Sequence, residues 1–126
     1  MEHTPEFLKL VDDAKSRIRQ TTPDEVMTRL EKDDPIVLVD TREDNEWQKG
    51  HIVSAIHLGR GIIERDIIKV IPDKSTEIVL YCGGGYRSAL AADNLQKMGY
   101  TNVASMDGGW RKWKELDFPT EEFPAE

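Results

Sequence analysis

The order of hydrophobic and polar residues along the chain predicts strands that alternate with helices. Runs of four or five mostly apolar residues are typical of strands inside a sheet, because both faces of such a strand contact other parts of the protein. Four segments have this character, and residues 78–82 form the strongest of them. The predicted strands span residues 36–39, 54–58, 78–82 and 102–106.

Six helices are predicted from capping residues and from apolar residues at helical spacing. Thr4 and Thr22 each precede a proline, which is a common start of a helix, and the second helix runs to about residue 32. Thr41 is expected to cap a short helix that ends at Gly50. The remaining helices are predicted over residues 62–71, over residues 87–98 and after Gly109.

Strands alternating with helices predict an open, mostly parallel α/β sheet. In such sheets, ligands bind beyond the carboxyl ends of the strands. Polar and reactive residues that follow the predicted strands are therefore expected to meet at one edge of the sheet. They are Asp40 and Arg42, the segment 59–61, the segment 82–87 and the segment 107–109.

Composition indicates one ordinary globular domain. The chain has 126 residues, of which 38% are hydrophobic and 33% are charged, as in typical folded domains. The longest apolar runs have four or five residues, too few to cross a membrane. The N-terminal residues lack the basic and apolar regions of a secretory signal. We therefore expect no membrane partner and a cytoplasmic location.

Charge and cysteine content limit the classes of ligand. The net charge is −7, which argues against nucleic acid as a partner because no basic stripe is available to neutralise phosphates. The single cysteine excludes an internal disulfide and fits a reducing compartment. The three histidines show no ligand spacing with other donors, so no metal site and no cofactor are expected.

The segment 78–88 carries the strongest chemical signal in the chain. Its apolar strand ends at Cys82, and the loop that follows leads into a helix. The loop and the first helical residues are Gly83, Gly84, Gly85, Tyr86, Arg87 and Ser88. A glycine-rich loop of this kind directs several backbone N–H groups into one concavity, which suits an anion. The same N–H groups and Arg87 favour the thiolate form of Cys82 over the thiol.

A purely structural interpretation of this segment fits its sequence less well. A lone cysteine at the end of a buried strand is often an inert small hydrophobe, and glycines can simply form a turn. Three consecutive glycines, however, cost backbone entropy that a simple turn does not require. An arginine in the first turn of a helix also opposes the helix dipole unless an anion lies nearby. A functional role for Cys82 and Arg87 is therefore favoured.

Five motifs in the chain resemble the rhodanese domain in its single-domain sulfurtransferase form. They occur in the family's order, at residues 39–43, 46–52, 55–58, 82–88 and 106–113. The resemblance covers residues 17–118, which makes residues 1–16 an N-terminal helical extension and residues 119–126 a loose C-terminal tail. It implies a three-layer α/β fold in which a central five-stranded, mostly parallel sheet is flanked by helices.

The resemblance also implies a reaction. Cys82 would accept a sulfane sulfur from thiosulfate or a related donor as a persulfide and pass it to cyanide, a thiol or a protein. The backbone from Gly83 to Ser88 would stabilise that sulfur, and Arg87 would bind the sulfonate end of the donor. Tyr86 is expected either to line the mouth of the site or simply to pack. Ser88 is expected either to cap the helix or to donate to the sulfur.

Two other functions stay open on the sequence. One is a persulfide relay or sulfur-carrier module that serves a protein acceptor. The other is a relative of phosphatases and arsenate reductases, which resemble this chain but have a seven-residue loop. The loop from Cys82 through Arg87 has six residues. A tighter ring of N–H groups places an anion too close for in-line attack on phosphorus, so phosphatase activity is disfavoured.

Asp40, Arg42 and Arg60 are candidates for supporting roles near the site. The resemblance implies that the segment with Asp40 and Arg42 supports the active-site side of the sheet. An ion pair between Arg42 and Glu46, four residues apart, is the favoured structural role for Arg42. Arg60 is expected either to add positive potential at this edge or to be solvated. The resemblance implies that His51 forms a structural turn after Gly50 rather than acting as a general base.

Overall fold

A five-stranded parallel sheet forms the centre of the fold. The computed structural model describes residues 3–122. Their strands are β1 (Arg19–Thr21), β2 (Val37–Asp40), β3 (His51–Ile52), β4 (Ile56–His57), β5 (Ile78–Tyr81), β6 (Val103–Met106) and β7 (Thr120–Glu121). The order across the main sheet is β1-β6-β5-β2-β4, and every neighbouring pair is parallel. The predicted α/β class with a five-stranded, mostly parallel sheet is therefore confirmed.

Six helices connect the strands in the described part of the chain. They are α1 (Pro5–Lys15), α2 (Pro23–Glu31), α3 (Asp44–Lys49), α4 (Ile63–Val70), α5 (Tyr86–Lys97) and α6 (Gly109–Glu115). The predicted caps of the first two helices are confirmed, since Thr4 accepts from the N–H of Phe7 and Thr22 from that of Glu25. None of these six helices is long and apolar enough to cross a membrane.

Side chains alternate between the two faces of the main sheet and form a hydrophobic core on each. On one face, Ile78 and Leu80 of β5 pack with side chains from α4 and α5. On the other face, Val79 and Tyr81 pack with side chains from α2 and α6. Helices on both faces make the three layers, and the carboxyl ends of the strands stay open at one edge.

The cap predicted for α3 is wrong. Glu43, not Thr41, precedes the helix, and the N–H of Glu43 donates to Oε1 of Glu46 at 3.0 Å. Thr41 is buried, and its hydroxyl donates to the backbone carbonyl of Tyr81 at 2.9 Å. Thr41 precedes the N-cap position by two residues, so its side chain lies at the end of β5 and not at the first turn of α3.

Two short pairings are absent from the sequence prediction. β1 forms an edge of the main sheet through polar, mostly exposed residues, so no apolar run indicates it. β7 pairs antiparallel with β3, although the chain from residue 119 onward was expected to be loose. Thr120 and Glu121 of the expected loose tail thus form a short, exposed strand, and the last part of that tail, residues 123–126, lies outside the described residues.

Candidate active site

The sulfur of Cys82 lies in a cradle of backbone N–H groups at the start of α5. Cys82 directly follows β5 and is buried. The N–H of Gly85 donates to Sγ at 3.1 Å and the N–H of Ser88 at 3.4 Å, while the Ser88 hydroxyl oxygen lies 3.6 Å from Sγ. Gly85 has a φ of +104°, in the left-handed region, and this conformation turns its N–H toward the sulfur. The cradle can stabilise a negative charge on this sulfur or on an atom attached to it.

Gly109 lets α6 support the loop from behind. The N–H of Trp110 donates to the carbonyl of Cys82 at 2.8 Å, and that of Arg111 to the carbonyl of Gly83 at 3.1 Å. A β-carbon on Gly109 would overlap the Cys82 carbonyl oxygen and lie 3.0 Å from that of Gly83. Only glycine therefore allows this approach, which fixes the loop carbonyls away from the sulfur.

Arg87 is bound to Glu46. Its Nη1 donates to Glu46 Oε1 at 2.8 Å, and its Nη2 lies 3.4 Å from Oε2. The hydrogen bond from Arg87 lowers the pKa of Glu46, and burial partly opposes this effect. The same hydrogen bond raises the pKa of Arg87. The ion pair predicted between Arg42 and Glu46 is therefore wrong.

Arg42 instead pairs with Asp40 beneath the site. Arg42 Nη2 donates to Asp40 Oδ2 at 2.8 Å and to the carbonyl of Gly50 at 2.6 Å, and its guanidinium lies 4.6 Å from the ring centre of Trp110. Asp40 is fully buried at the end of β2, so it needs a cation more than the half-exposed Glu46 does. Arg42 therefore joins β2, the end of α3 and the start of α6.

The surroundings of Asp40 also raise the pKa of Tyr81. The hydroxyl oxygen of Tyr81 accepts the N–H of Ile52 at 3.0 Å. Burial raises the pKa of Tyr81, and the charge of Asp40 adds to this effect. Tyr81 therefore acts as a neutral structural group that connects β5 to β3.

Arg60 precedes α4 and contacts that helix. Its Nη1 binds Glu64 Oε2 at 2.7 Å, and Glu64 also accepts from the side chain of Asn94 on α5. Among residues 3–122, the Arg60 side chain makes no hydrogen bond to the segment from Cys82 to Ser88. Its visible contacts therefore serve the packing of α4 on α5.

Three side chains near the loop were missed by the sequence analysis. Arg111 Nη1 lies 3.6 Å from the position that a β-carbon of Gly84 would occupy. Lys15 of α1 lies 5.3 Å from the ring centre of Tyr86. The hydroxyl of Ser105 lies 2.8 Å from that of Ser88. Two of the three had a usable signal: Ser105 precedes the predicted carboxyl end of β6, and Arg111 lies within the motif at residues 106–113.

Tyr86 forms part of an aromatic group with α1. Its ring centre lies 4.6 Å from that of His3 and 6.2 Å from that of Phe7. The N-terminal helix therefore lies beside the Cys82 loop. In the described part of the chain, no group of three or more His, Cys, Asp or Glu side chains is arranged to hold a metal ion.

His51 occupies a structural position behind the site. Its ring stacks on that of Trp47 at 3.4 Å between centres, and its Nδ1 lies 2.9 Å from the Trp47 carbonyl oxygen. Both contacts fix the chain where α3 ends and β3 begins. His51 itself lies in β3, where it pairs with Glu121, and not in the structural turn that was expected.

A family model for the Rhodanese-like domain matches residues 22–116. The chain belongs to the rhodanese-like domain family. Thiosulfate sulfurtransferase GlpE of Coxiella burnetii is 32% identical to this rhodanese-like chain over 85 residues, which cover 68% of the chain and 78% of GlpE. YrkF of Bacillus subtilis, a candidate sulfur carrier protein, is 29% identical over 85 residues, which cover 68% of the chain and 45% of YrkF.

Some curated relatives are longer than the region that matches this chain. A solved structure is similar along nearly the whole chain. The chain spans 66%, 59% and 45% of the length of three curated relatives. A Rhodopseudomonas palustris protein of unknown function, described as a possible tyrosine phosphatase, has a TM-score of 0.81 and 28% identity. The similarity covers 96% of this rhodanese-like chain and 98% of that protein.

Proposed function

We propose that this protein is a sulfurtransferase that carries a sulfane sulfur on Cys82 as a persulfide. The observation that supports it most directly is the pair of N–H groups, from Gly85 and Ser88, directed at Sγ. These groups stabilise the thiolate that attacks the donor and then the negative charge of the persulfide. The similarity to GlpE supports sulfur transfer as the reaction class.

The reaction consists of two displacements at sulfur. The Cys82 thiolate attacks the outer sulfur of thiosulfate and forms an S–S bond, and the bond from that sulfur to the sulfonate sulfur breaks. Sulfite leaves with the electron pair, and Cys82 holds the persulfide. A nucleophilic acceptor such as cyanide or a thiol then attacks the outer sulfur, and the Cys82 thiolate leaves.

A protein acceptor is a second candidate for the biological role. The similarity to YrkF favours a carrier that passes its persulfide to another protein. The pairing of Arg87 with Glu46 also favours it, because the cation expected to bind a small anionic donor is partly neutralised. Both roles use the same persulfide on Cys82, and they differ in the acceptor and in turnover with small molecules.

Phosphate-ester hydrolysis is the alternative raised by the neighbour from Rhodopseudomonas palustris. The six-residue span from Cys82 through Arg87 supports sulfur chemistry instead. The N–H of Gly85 lies 3.1 Å from the sulfur itself, a distance that suits a charge on sulfur. Aryl phosphate hydrolysis by the purified protein is therefore expected to be negligible.

Intact mass spectrometry tests the proposal. Thiosulfate is expected to add one sulfur atom to the protein, and cyanide to remove it as thiocyanate. Cys82→Ser is expected to show neither change, because no other cysteine is present. Retention of sulfur transfer by the serine variant, or efficient hydrolysis of an aryl phosphate by the wild type, would overturn the proposal.

A further inference from the structure

Glu46 places a negative charge next to the only cation of the Cys82 loop. Its carboxylate is fixed from two sides, by the guanidinium of Arg87 and by the N–H of Glu43 at 3.0 Å. Both side chains of the pair are about one third exposed, at 32% for Arg87 and 34% for Glu46, so an incoming ligand can meet them. The carboxylate is therefore a fixed part of the partly exposed surface beside the Cys82 loop, which we call the entrance.

Arg87 also lies against the loop that follows Cys82. Its Nη2 lies 3.1 Å from the position that a β-carbon of Gly83 would occupy, so the guanidinium lies across the loop. Glu46 makes the larger contribution to the raised pKa of Arg87, and the charge of Cys82 adds to it. Arg87 therefore interacts electrostatically with both the Glu46 carboxylate and the charge of Cys82.

Glu46 weakens the local attraction for a dianion, while Arg111 beside Gly84 adds a separate positive charge. With Cys82 as the thiolate, the three side chains Cys82, Glu46 and Arg87 carry a sum of one negative charge. Thiosulfate brings two more negative charges, whereas a singly charged donor brings one. Like charges a few ångströms apart in a partly solvated site repel strongly enough to change donor preference.

We propose that Glu46 selects sulfur donors by charge, so that the site prefers donors with one negative charge over dianionic thiosulfate. The chemical class is a singly charged sulfane-sulfur compound, such as an organic thiosulfonate or an organic persulfide. The inference rests on the proposed function, because it concerns the donor for the Cys82 persulfide. Glu46 is then a specificity-determining residue.

Two sulfur donors that differ mainly in charge allow the effect of charge to be measured. Thiosulfate and methanethiosulfonate present the same outer sulfur, but a methyl group replaces one charged oxygen in the second. In each case the Cys82 thiolate bonds to the outer sulfur and the S–S bond of the donor breaks. The electron pair leaves on sulfite in one case and on methanesulfinate in the other. No oxidant, reductant or proton is consumed.

The experiment compares kcat/KM for both donors, with cyanide as the acceptor, in the wild type and in Glu46→Gln. Glutamine removes the charge but can still accept the N–H of Glu43, so the cap of α3 is kept. The ratio of thiosulfate to methanethiosulfonate kcat/KM is expected to rise on the order of tenfold in this variant. Equal changes for both donors would mean that Glu46 only positions Arg87, and would overturn the proposal.

Asp44→Asn is the control. It removes the same charge from the same helix, but the Asp44 side chain is 91% exposed and its ion-pair contact is with His57. Its donor ratio is expected to stay within about twofold of the wild-type ratio, because exposed charges are screened. A rise equal to that of Glu46→Gln would assign the effect to net charge and overturn the proposal.

Ionic strength provides a second measurement. Salt screens the charge of Glu46, so the rise in donor ratio caused by Glu46→Gln is expected to shrink as ionic strength increases. A rise of the same size at every ionic strength would contradict the inference. If neither donor adds sulfur to Cys82, the proposed function fails. If both donors add sulfur and the ratio of their kcat/KM values changes neither with Glu46→Gln nor with salt, only the charge selection fails.

Discussion

Asp40 and Arg42 form a buried ion pair at the carboxyl end of β2, with 2.8 Å between Oδ2 and Nη2. Their side chains are 0% and 3% exposed, and Arg42 also binds the carbonyl of Gly50. Removal of one partner leaves the other charge buried without compensation. This pair is therefore a point at which a single substitution affects the whole fold.

Arg42→Ala is expected to lower the free energy of unfolding by about 3–5 kcal/mol, because the Asp40 carboxylate stays buried without a cation. Equilibrium denaturation in urea measures the change. The double variant Asp40→Ala with Arg42→Ala removes both charges and is expected to lose less than the single variant. A double variant that is less stable than Arg42→Ala would contradict the importance of charge compensation here.

Gly109→Ala is expected to disrupt the Cys82 loop. A β-carbon would overlap the Cys82 carbonyl oxygen, and the φ of Gly109 is +53°. The expected loss of stability is about 2–4 kcal/mol, from overpacking and from the left-handed backbone. Urea denaturation and the amount of sulfur loaded from thiosulfate both report the change.

Gly61→Ala is the matched control for that substitution. No atom lies within 4 Å of the β-carbon position of Gly61. Its stability and its sulfur loading are expected to stay close to those of the wild type. If Gly109→Ala behaved as mildly as Gly61→Ala, α6 would not be the support of the loop.

Arg111→Ala is expected to lower kcat/KM for thiosulfate by about three- to tenfold. Arg111 lies beside Gly84 and makes no ion pair with the other described residues, so its charge is available to an incoming anion. The persulfide, once formed, is expected to be as stable as in the wild type, because the N–H groups of the cradle are unchanged.

Lys112→Ala is the control for Arg111. It removes a neighbouring charge of the same sign, which pairs with Glu115 at 3.7 Å. Thiosulfate kinetics are expected to change less than twofold, roughly the effect of an exposed, screened charge. Equal losses in the two variants would assign the effect to the general field of α6 rather than to Arg111.

Asp93 makes the stability of the fold depend on pH in the acid range. Arg17, which follows α1, binds Asp93 on α5 at 2.8 Å between Nη2 and Oδ2, and this contact lowers the pKa of Asp93. A lowered carboxyl pKa stabilises the fold above the unfolded-state pKa of about 4, and this stabilisation is lost as the pH falls through the lower folded-state value.

The wild type is therefore expected to be more stable than Asp93→Asn at pH 7. The difference in free energy of unfolding is expected to stay constant down to about pH 5 and to close below about pH 4. Urea denaturation of both proteins across this pH range measures it. A difference that persists unchanged at the acid end would show that packing at Asp93, rather than its charge, stabilises the fold.

Much of the fold could be predicted from local sequence signals. Thr4 and Thr22 cap their helices as predicted, because a capping residue followed by proline acts within one turn of chain. The apolar residues of β5 form a buried strand as predicted. β1 gave no such signal, because its exposed polar residues become a strand only when β6 supplies the hydrogen-bonding partner.

The candidate site was predictable in its backbone but not in its ion pairs. The Cys82 loop lies within one short segment, so its cradle follows from glycine and helix signals. Arg87 and Glu46 are 41 residues apart, and a nearer partner for Glu46 was available in Arg42. The burial of Asp40 decided between these pairings, and burial depends on the finished sheet.

The small sheet of β3 and β7 gives the end of the described chain a connection to the entrance. Ile52 pairs with Thr120, and the backbone immediately before β3 leads back into α3, which carries Glu46. A two-stranded pairing of this length is marginal by itself. Amide hydrogens of β7 are therefore expected to exchange with solvent through a local opening, at a free energy well below that of global unfolding. A molecule that binds this segment would slow that exchange and stabilise α3, which carries Glu46.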